Sequence, residues 1–90
     1  MNEEYRKRMA IDHILSSRHI GFFRLCGRDL QLKYREANLT YNNPDREALL
    51  NEIIDVYNKR LDEMTNMTDN ERKFKKKLIK KYATKEWRHK

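Results

Sequence analysis

Lysine and arginine are the residues of this sequence whose number and spacing most clearly predict a chemical property. The 90 residues carry a formal net charge of +7. Residues 1–68 contain eleven Lys or Arg and eleven Asp or Glu. Residues 69–90 contain ten Lys or Arg but only three Asp or Glu. All of the excess positive charge therefore lies in the last quarter of the sequence. Such asymmetry is typical of a surface that meets an anionic partner.

The basic segment has the periodicity of an amphipathic helix. At about 100° per residue, an apolar row faces one way and a broad cationic side faces the other. The apolar row, expected to face the core, consists of Phe74, Leu78, Ile79 and Tyr82, and Lys75 falls on the same side. We predict that the cationic side binds nucleic acid through Arg72, Lys73, Lys76, Lys77, Lys80, Lys81 and Arg88, with Trp87 stacking on a base or covering the helix end.

Lysine predominates over arginine on this cationic side, which favours contacts with backbone phosphates over the bidentate reading of bases. Three alternatives stay open for the same face. It could be no more than a hydrated surface, or it could dock on an acidic protein. A membrane surface is disfavoured, because the apolar side is narrow and is needed for the core.

No other group of residues has the spacing of a catalytic or metal site. The three histidines, which are His13, His19 and His89, lack the i,i+4 spacing of a helical zinc pair. Asp12 and His13 lie on different faces of a helix, which argues against a catalytic dyad. No phosphate-binding glycine loop or nucleophile elbow is present. We therefore expect no enzymatic activity, no cofactor, no metal and no small-molecule substrate.

The single cysteine, Cys26, excludes an internal disulfide and any site built from several cysteines. It lies among apolar residues, so we expect a small buried side chain. The charged segment 1–8 lacks the apolar centre of a secretory signal. No apolar stretch approaches the roughly 20 residues that span a bilayer. A cytoplasmic location is the resulting expectation.

Four helices are predicted to position these residues. They cover about residues 3–16, 18–37, 44–64 and 69–87. Asn43 and Pro44 have the residue types of a helix start, and Thr68 with Glu71 matches a capping box. Gly21 and Gly27 weaken the second helix, and Gly21 could mark a kink.

These elements predict an all-α fold, a small helical bundle of about four helices in a single domain of residues 1–90. The short connections favour an antiparallel up-and-down arrangement. The charge-neutral body would comprise residues 1–68 and the basic helix residues 69–90. A three-helix core with the basic helix projecting from it is the alternative arrangement.

The first functional hypothesis is an accessory or regulatory protein that binds DNA or RNA. The alternative is an adaptor or inhibitor, comparable in size to phage or plasmid regulators and immunity proteins, that docks on a larger assembly. An exposed apolar patch around Phe22, Leu25 and Tyr41 would favour that alternative, as would a homodimer formed through the second helix.

One resemblance to a known family is carried by Arg24, Leu25, Gly27, Arg28, Leu30 and the range 42–52. These residues resemble the short helical N-terminal region of sugar O-acetyltransferases. The resemblance covers less than half of the chain, and no hexapeptide repeat follows it. Such repeats form the catalytic body in that family, so the resemblance does not imply acetyltransferase activity here.

Overall fold

A computed structural model describes residues 3–40 and 45–84, and these ranges contain five α-helices and no strand. The predicted all-α bundle is confirmed. The helices are α1 (Glu3–Ser16), α2 (Phe22–Cys26), α3 (Arg28–Leu39), α4 (Arg46–Glu63) and α5 (Asp69–Ala83).

The four longer helices form the bundle, with α1 and α4 in contact at its centre and α3 and α5 at opposite corners. Helix α3 packs on α1 and α4, as does α5, while α2 packs on α1, α3 and α4. Contacts between the ends of these helices give their directions. Gln31 lies beside Leu15 and Asn38 beside Arg8, so α3 runs antiparallel to α1. Arg72 and Lys76 lie beside Leu61 and Asp62, so the first half of α5 packs against the end of α4.

The core lies between these helices and is centred on three aromatic side chains. The Phe22 ring packs edge-on against Tyr34, with centroids 6.0 Å apart. It also lies nearly parallel to the Tyr57 ring at 6.2 Å. Burying such rings contributes a large share of the stability of a small domain. The aliphatic residues buried around them are Ile11, Ile14, Leu15, Ile20, Leu50, Ile53, Leu61 and Ile79.

The prediction of one helix over residues 18–37 is wrong, because the chain breaks at Gly27. This glycine has φ 94° and ψ 160°, a conformation essentially restricted to glycine. The break separates α2 from α3. A second glycine, Gly21, has the left-handed conformation (φ 66°, ψ 38°) and directly precedes α2. Residues 17–21 consequently form a turn and not the first turn of a longer helix.

A side chain from a later helix closes the C-terminal end of each of the first four helices. Gln31 of α3 donates to the Leu15 carbonyl of α1 at 2.7 Å. Three arginines donate to carbonyls at the C-terminal ends of α2, α3 and α4. At such ends the last helix carbonyls lack an intrahelical partner and the helix dipole is negative. Arg60 bonds the Leu25 carbonyl of α2 at 2.9 Å, Arg46 bonds the Asn38 and Thr40 carbonyls at 2.7 and 3.0 Å, and Arg72 bonds the Leu61 and Met64 carbonyls.

The Arg46 contact belongs to a buried polar network. Only 3% of Arg46 is exposed, and Asn38 is fully buried. The Asn38 amide donates to Oδ1 of Asp12 at 2.6 Å and to the Arg8 carbonyl at 3.2 Å. Because each buried polar group costs free energy unless it is bonded, the network fixes how α1, α3 and α4 fit together.

The start of α5 agrees with the predicted capping box. The Thr68 hydroxyl accepts a hydrogen bond from the Glu71 backbone N–H at 3.2 Å. The helix ends at Ala83, earlier than the predicted end near Trp87, because Thr84 has an extended backbone. The predicted cap at Asn43 and Pro44 lies outside the described residues.

We expect Arg46→Met to destabilise the protein by about 2–4 kcal/mol, because two carbonyls at the end of α3 lose their charged donor. Urea unfolding followed by circular dichroism measures this change. Arg35→Met is the matched control, since Arg35 is exposed on α3 and its replacement should cost less than about 0.5 kcal/mol. Equal free energies of unfolding for the two variants would contradict the assigned role.

The two positive-φ glycines should differ in their tolerance of asparagine. The left-handed region at Gly21 accepts asparagine at low cost, whereas the conformation of Gly27 does not. Gly27→Asn should therefore destabilise the protein by about 1–3 kcal/mol more than Gly21→Asn in the same unfolding assay. Equal destabilisation by the two substitutions would mean that α2 and α3 do not require the break at residue 27.

Candidate nucleic-acid interface

The basic helix α5 is an integral part of the bundle. Ile79 is fully buried against the core, and Leu78, Tyr82 and Ala83 pack partly against it. The alternative arrangement, with a projecting basic helix, is not the one observed. The opposite side of α5 faces outward, so the bundle holds that side at a fixed orientation.

Three of the α5 cations are held within the protein. Besides closing α4, Arg72 lies 3.0 Å from Oδ1 of Asp69. Lys75 donates to the His19 carbonyl at 2.8 Å, in agreement with its predicted place on the inner side. Lys76 Nζ lies 2.7 Å from Oδ1 of Asp62. Two predicted binding residues, Arg72 and Lys76, thus anchor α5 on α4.

Four other predicted residues of α5 form a continuous exposed row, called here the lysine strip. Among the described residues, none of these side chains has a hydrogen-bond or ion-pair partner. At a rise of about 1.5 Å per residue, the row extends along about 12 Å of the helix. Lys73, Lys77 and Lys81 follow one another at four residues, and Lys80 lies three residues after Lys77, which places all four on one broad face. The lysine strip consists of Lys73, Lys77, Lys80 and Lys81.

The prediction that Phe74 faces the core is wrong, because 62% of this residue is exposed. Helix α5 packs mainly on α1 and α4, and Ile79 is its fully buried residue. Phe74 lies one turn before Lys77 on the side next to the lysine strip. An exposed aromatic ring beside exposed cations is the combination found in proteins that bind single strands.

Trp87 and Arg88, the last two predicted binding residues, lie outside the described residues and stay predictions. Arg28, a cation of the second predicted helix, does not extend the lysine strip. It is exposed at the start of α3, which lies at the opposite corner of the bundle from α5.

The apolar patch that would have favoured a docking adaptor is not formed as expected. Phe22 is fully buried between Tyr34 and Tyr57. Leu25 is half-buried, and Tyr41 lies outside the described residues. The exposed ring of α2 is the neighbouring Phe23.

The described ranges contain no group of three or more His, Cys, Asp or Glu side chains that could hold a metal ion. Within the same ranges, no helix combines the length and apolar character needed to cross a bilayer. Cys26 is buried, as predicted. Burial raises the pKa of its thiol to about 11, against a smaller opposing effect of Arg60, so the thiol is protonated and poorly reactive near pH 7.

The core should make the protein sensitive to alkali. Burial raises the pKa of Cys26 from 9.0 to about 11. Burial, and then the neighbouring Glu52, raise the pKa of Tyr34 from 10.0 to about 12. Burial also raises the pKa of Tyr57. Between the ordinary and the raised values only the unfolded chain loses these protons, so the free energy of unfolding should decrease from about pH 9 to pH 12.

Thermal unfolding measured between pH 7 and pH 12 tests this expectation. Tyr34→Phe removes one titrating group, so the decrease between pH 10 and pH 12 should be smaller in this variant than in the parent protein. A melting temperature that stays constant up to pH 11 would contradict the role given to these buried groups.

The chain matches no protein-family model, no curated protein and no solved structure. The resemblance to sugar O-acetyltransferases accordingly has no support beyond the few residues that carry it. The functional interpretation of the lysine strip depends on the exposure, charge and spacing of its own residues.

Proposed function

We propose that this protein is an accessory or regulatory protein that binds nucleic acid through phosphate contacts of the lysine strip. One observation carries the proposal. The lysines of the strip are exposed and lack a partner among the described residues, while Arg72, Lys75 and Lys76 of the same helix are held by the bundle.

This arrangement favours a charged ligand over simple hydration. Four ammonium groups along one helix face repel one another, and an array of phosphates relieves that repulsion while releasing condensed counterions. Because α5 is packed on α1 and α4, the strip is presented without the entropic cost of ordering a free tail. Lysine makes little bidentate contact with bases, so the expected binding is largely independent of sequence.

Phe74 supports binding of a single strand in particular. The bases of a duplex are stacked on one another, whereas those of a single strand are free to stack on an exposed ring. We therefore expect Phe74→Ala to weaken single-strand binding by roughly fivefold or more and to leave duplex binding nearly unchanged.

The lysine strip predicts a defined dependence on salt. With four phosphate contacts, the slope of log K against log salt should be about −3.6 for duplex DNA and about −2.8 for a single strand. Duplex affinity should thus fall roughly a hundredfold between 50 and 200 mM salt. Fluorescence anisotropy with labelled duplex and single-stranded oligonucleotides measures both slopes.

Replacing all four lysines of the strip by alanine should abolish most of this affinity and flatten the salt dependence. A matched control removes the same charge elsewhere, through alanine at four exposed cations of α3 and α4. The control should keep most of the affinity and the steep slope. An equal loss in both variants, or no binding by the parent protein at 50 mM salt, would overturn the proposal. The control positions are Arg28, Lys33, Arg35 and Lys59.

A further inference from the structure

A cleft of about 430 Å³ lies at the end of the bundle where α1 meets the turn 17–21, α2 and the first residues of α3. Its walls include Ser16, Ser17 and Gln31, together with the side chains of Arg18, Phe23 and Arg24. No residue of α5 lines it, so the cleft is separate from the lysine strip.

The charge of the cleft is positive. Arg18 and Arg24 both line it and both are exposed, and none of the residues lining it is acidic. Of the acidic residues nearest in sequence, Asp12 is bonded to the Asn38 amide, and Asp29 is exposed at the start of α3 and does not line the cleft. Both arginine side chains end in planar guanidinium groups, whose donors match the oxygens of a phosphate.

The cleft also has an aromatic wall. Phe23 lines it and is 47% exposed, whereas its neighbour Phe22 is fully buried in the core. A phenyl ring next to two cations fits a ligand that has a flat ring at one end and a negative group at the other. The volume lies within the usual range for small-molecule sites. A lone inorganic phosphate would leave the aromatic wall without a contact.

Hydrogen bonds within the fold hold the backbone around the cleft. The Gln31 amide donates to the Leu15 carbonyl, which holds α3 against the end of α1. The turn is closed by the Gly21 N–H, which donates to the Ser17 carbonyl at 2.9 Å. A backbone that is already ordered lowers the entropic cost of binding.

We propose that this cleft binds a nucleoside phosphate, with the phosphate on Arg18 and Arg24 and the base against Phe23. The ligand is either a free nucleotide or one nucleotide unit of a single strand, since both have the same phosphate and base. This site goes beyond the proposed function, because it needs neither the lysine strip nor a polymer.

Titration of the full chain with adenosine 5′-monophosphate tests the site, with binding measured by calorimetry and by NMR shifts. Adenosine and inorganic phosphate serve as half-ligands, and each should bind at least roughly tenfold more weakly than the nucleotide, because each lacks one of the two contacts. Equal binding of inorganic phosphate and nucleotide would overturn the role of Phe23. Absence of nucleotide binding would overturn the site as a whole.

Variants locate the contacts. Arg18→Ala with Arg24→Ala should weaken nucleotide binding at least roughly tenfold, because two charge-assisted contacts are lost. Arg28→Ala with Arg35→Ala removes the same charge on the outer face of α3 and should leave binding unchanged. Equal effects of the two pairs would overturn the proposal. Circular dichroism verifies that each variant is folded.

Two further measurements separate the sources of the ligand and the two proposals. The first measurement compares two ligands of the variant that lacks the lysine strip. If a short single-stranded oligonucleotide binds more tightly than the mononucleotide, the ligand is a strand. If the mononucleotide binds more tightly, the ligand is a free nucleotide. That variant should retain nucleotide binding, and loss of it would overturn the independence of the cleft. The variant that lacks Arg18 and Arg24 should retain the salt-dependent duplex binding. Either proposal can therefore fail while the other still holds.

Discussion

The bundle depends on one recurring interaction, in which a side chain of a later helix donates to carbonyls at the C-terminal end of an earlier one. Gln31 closes α1, Arg60 closes α2, Arg46 closes α3 and Arg72 closes α4. Helix ends are where the backbone lacks internal partners, and in a chain of 90 residues few apolar contacts are available to offset a missing bond. These four donors set the position of each helix along its neighbours, which the non-directional packing of aliphatic side chains does not do.

These contacts also sort the many cations of the sequence into two groups. Arg46, Arg60 and Arg72 satisfy carbonyls inside the fold, and their planar heads reach two groups at once where a lysine would reach one. The outward cations of α5 are lysines. Arginine thus closes the ends of α2, α3 and α4, whereas the exposed row on α5 consists of lysine.

Much of the fold was predictable because periodicity and capping are local properties. The bounds of α1 and the start of α5 at Thr68 follow from residues that are neighbours in sequence. The break at Gly27 was missed because the apolar spacing continues across it, and spacing does not report the sign of φ. Phe74 was misplaced because a helical wheel gives the direction of a side chain but not the width of the surface that covers it. The cleft at Arg18 and Arg24 was invisible for a related reason, since it is formed by three elements that meet only in the folded chain.

The direction of the helix-closing contacts has a consequence for synthesis on the ribosome. Each of these donors comes later in the chain than the helix that it closes. When α3 leaves the exit tunnel, water solvates its last carbonyls until Arg46 follows, and the end of α4 waits in the same way for Arg72. The protein's own donors therefore reach each helix end only after a later helix has begun to emerge, and the end of α4 is closed only once translation has entered α5.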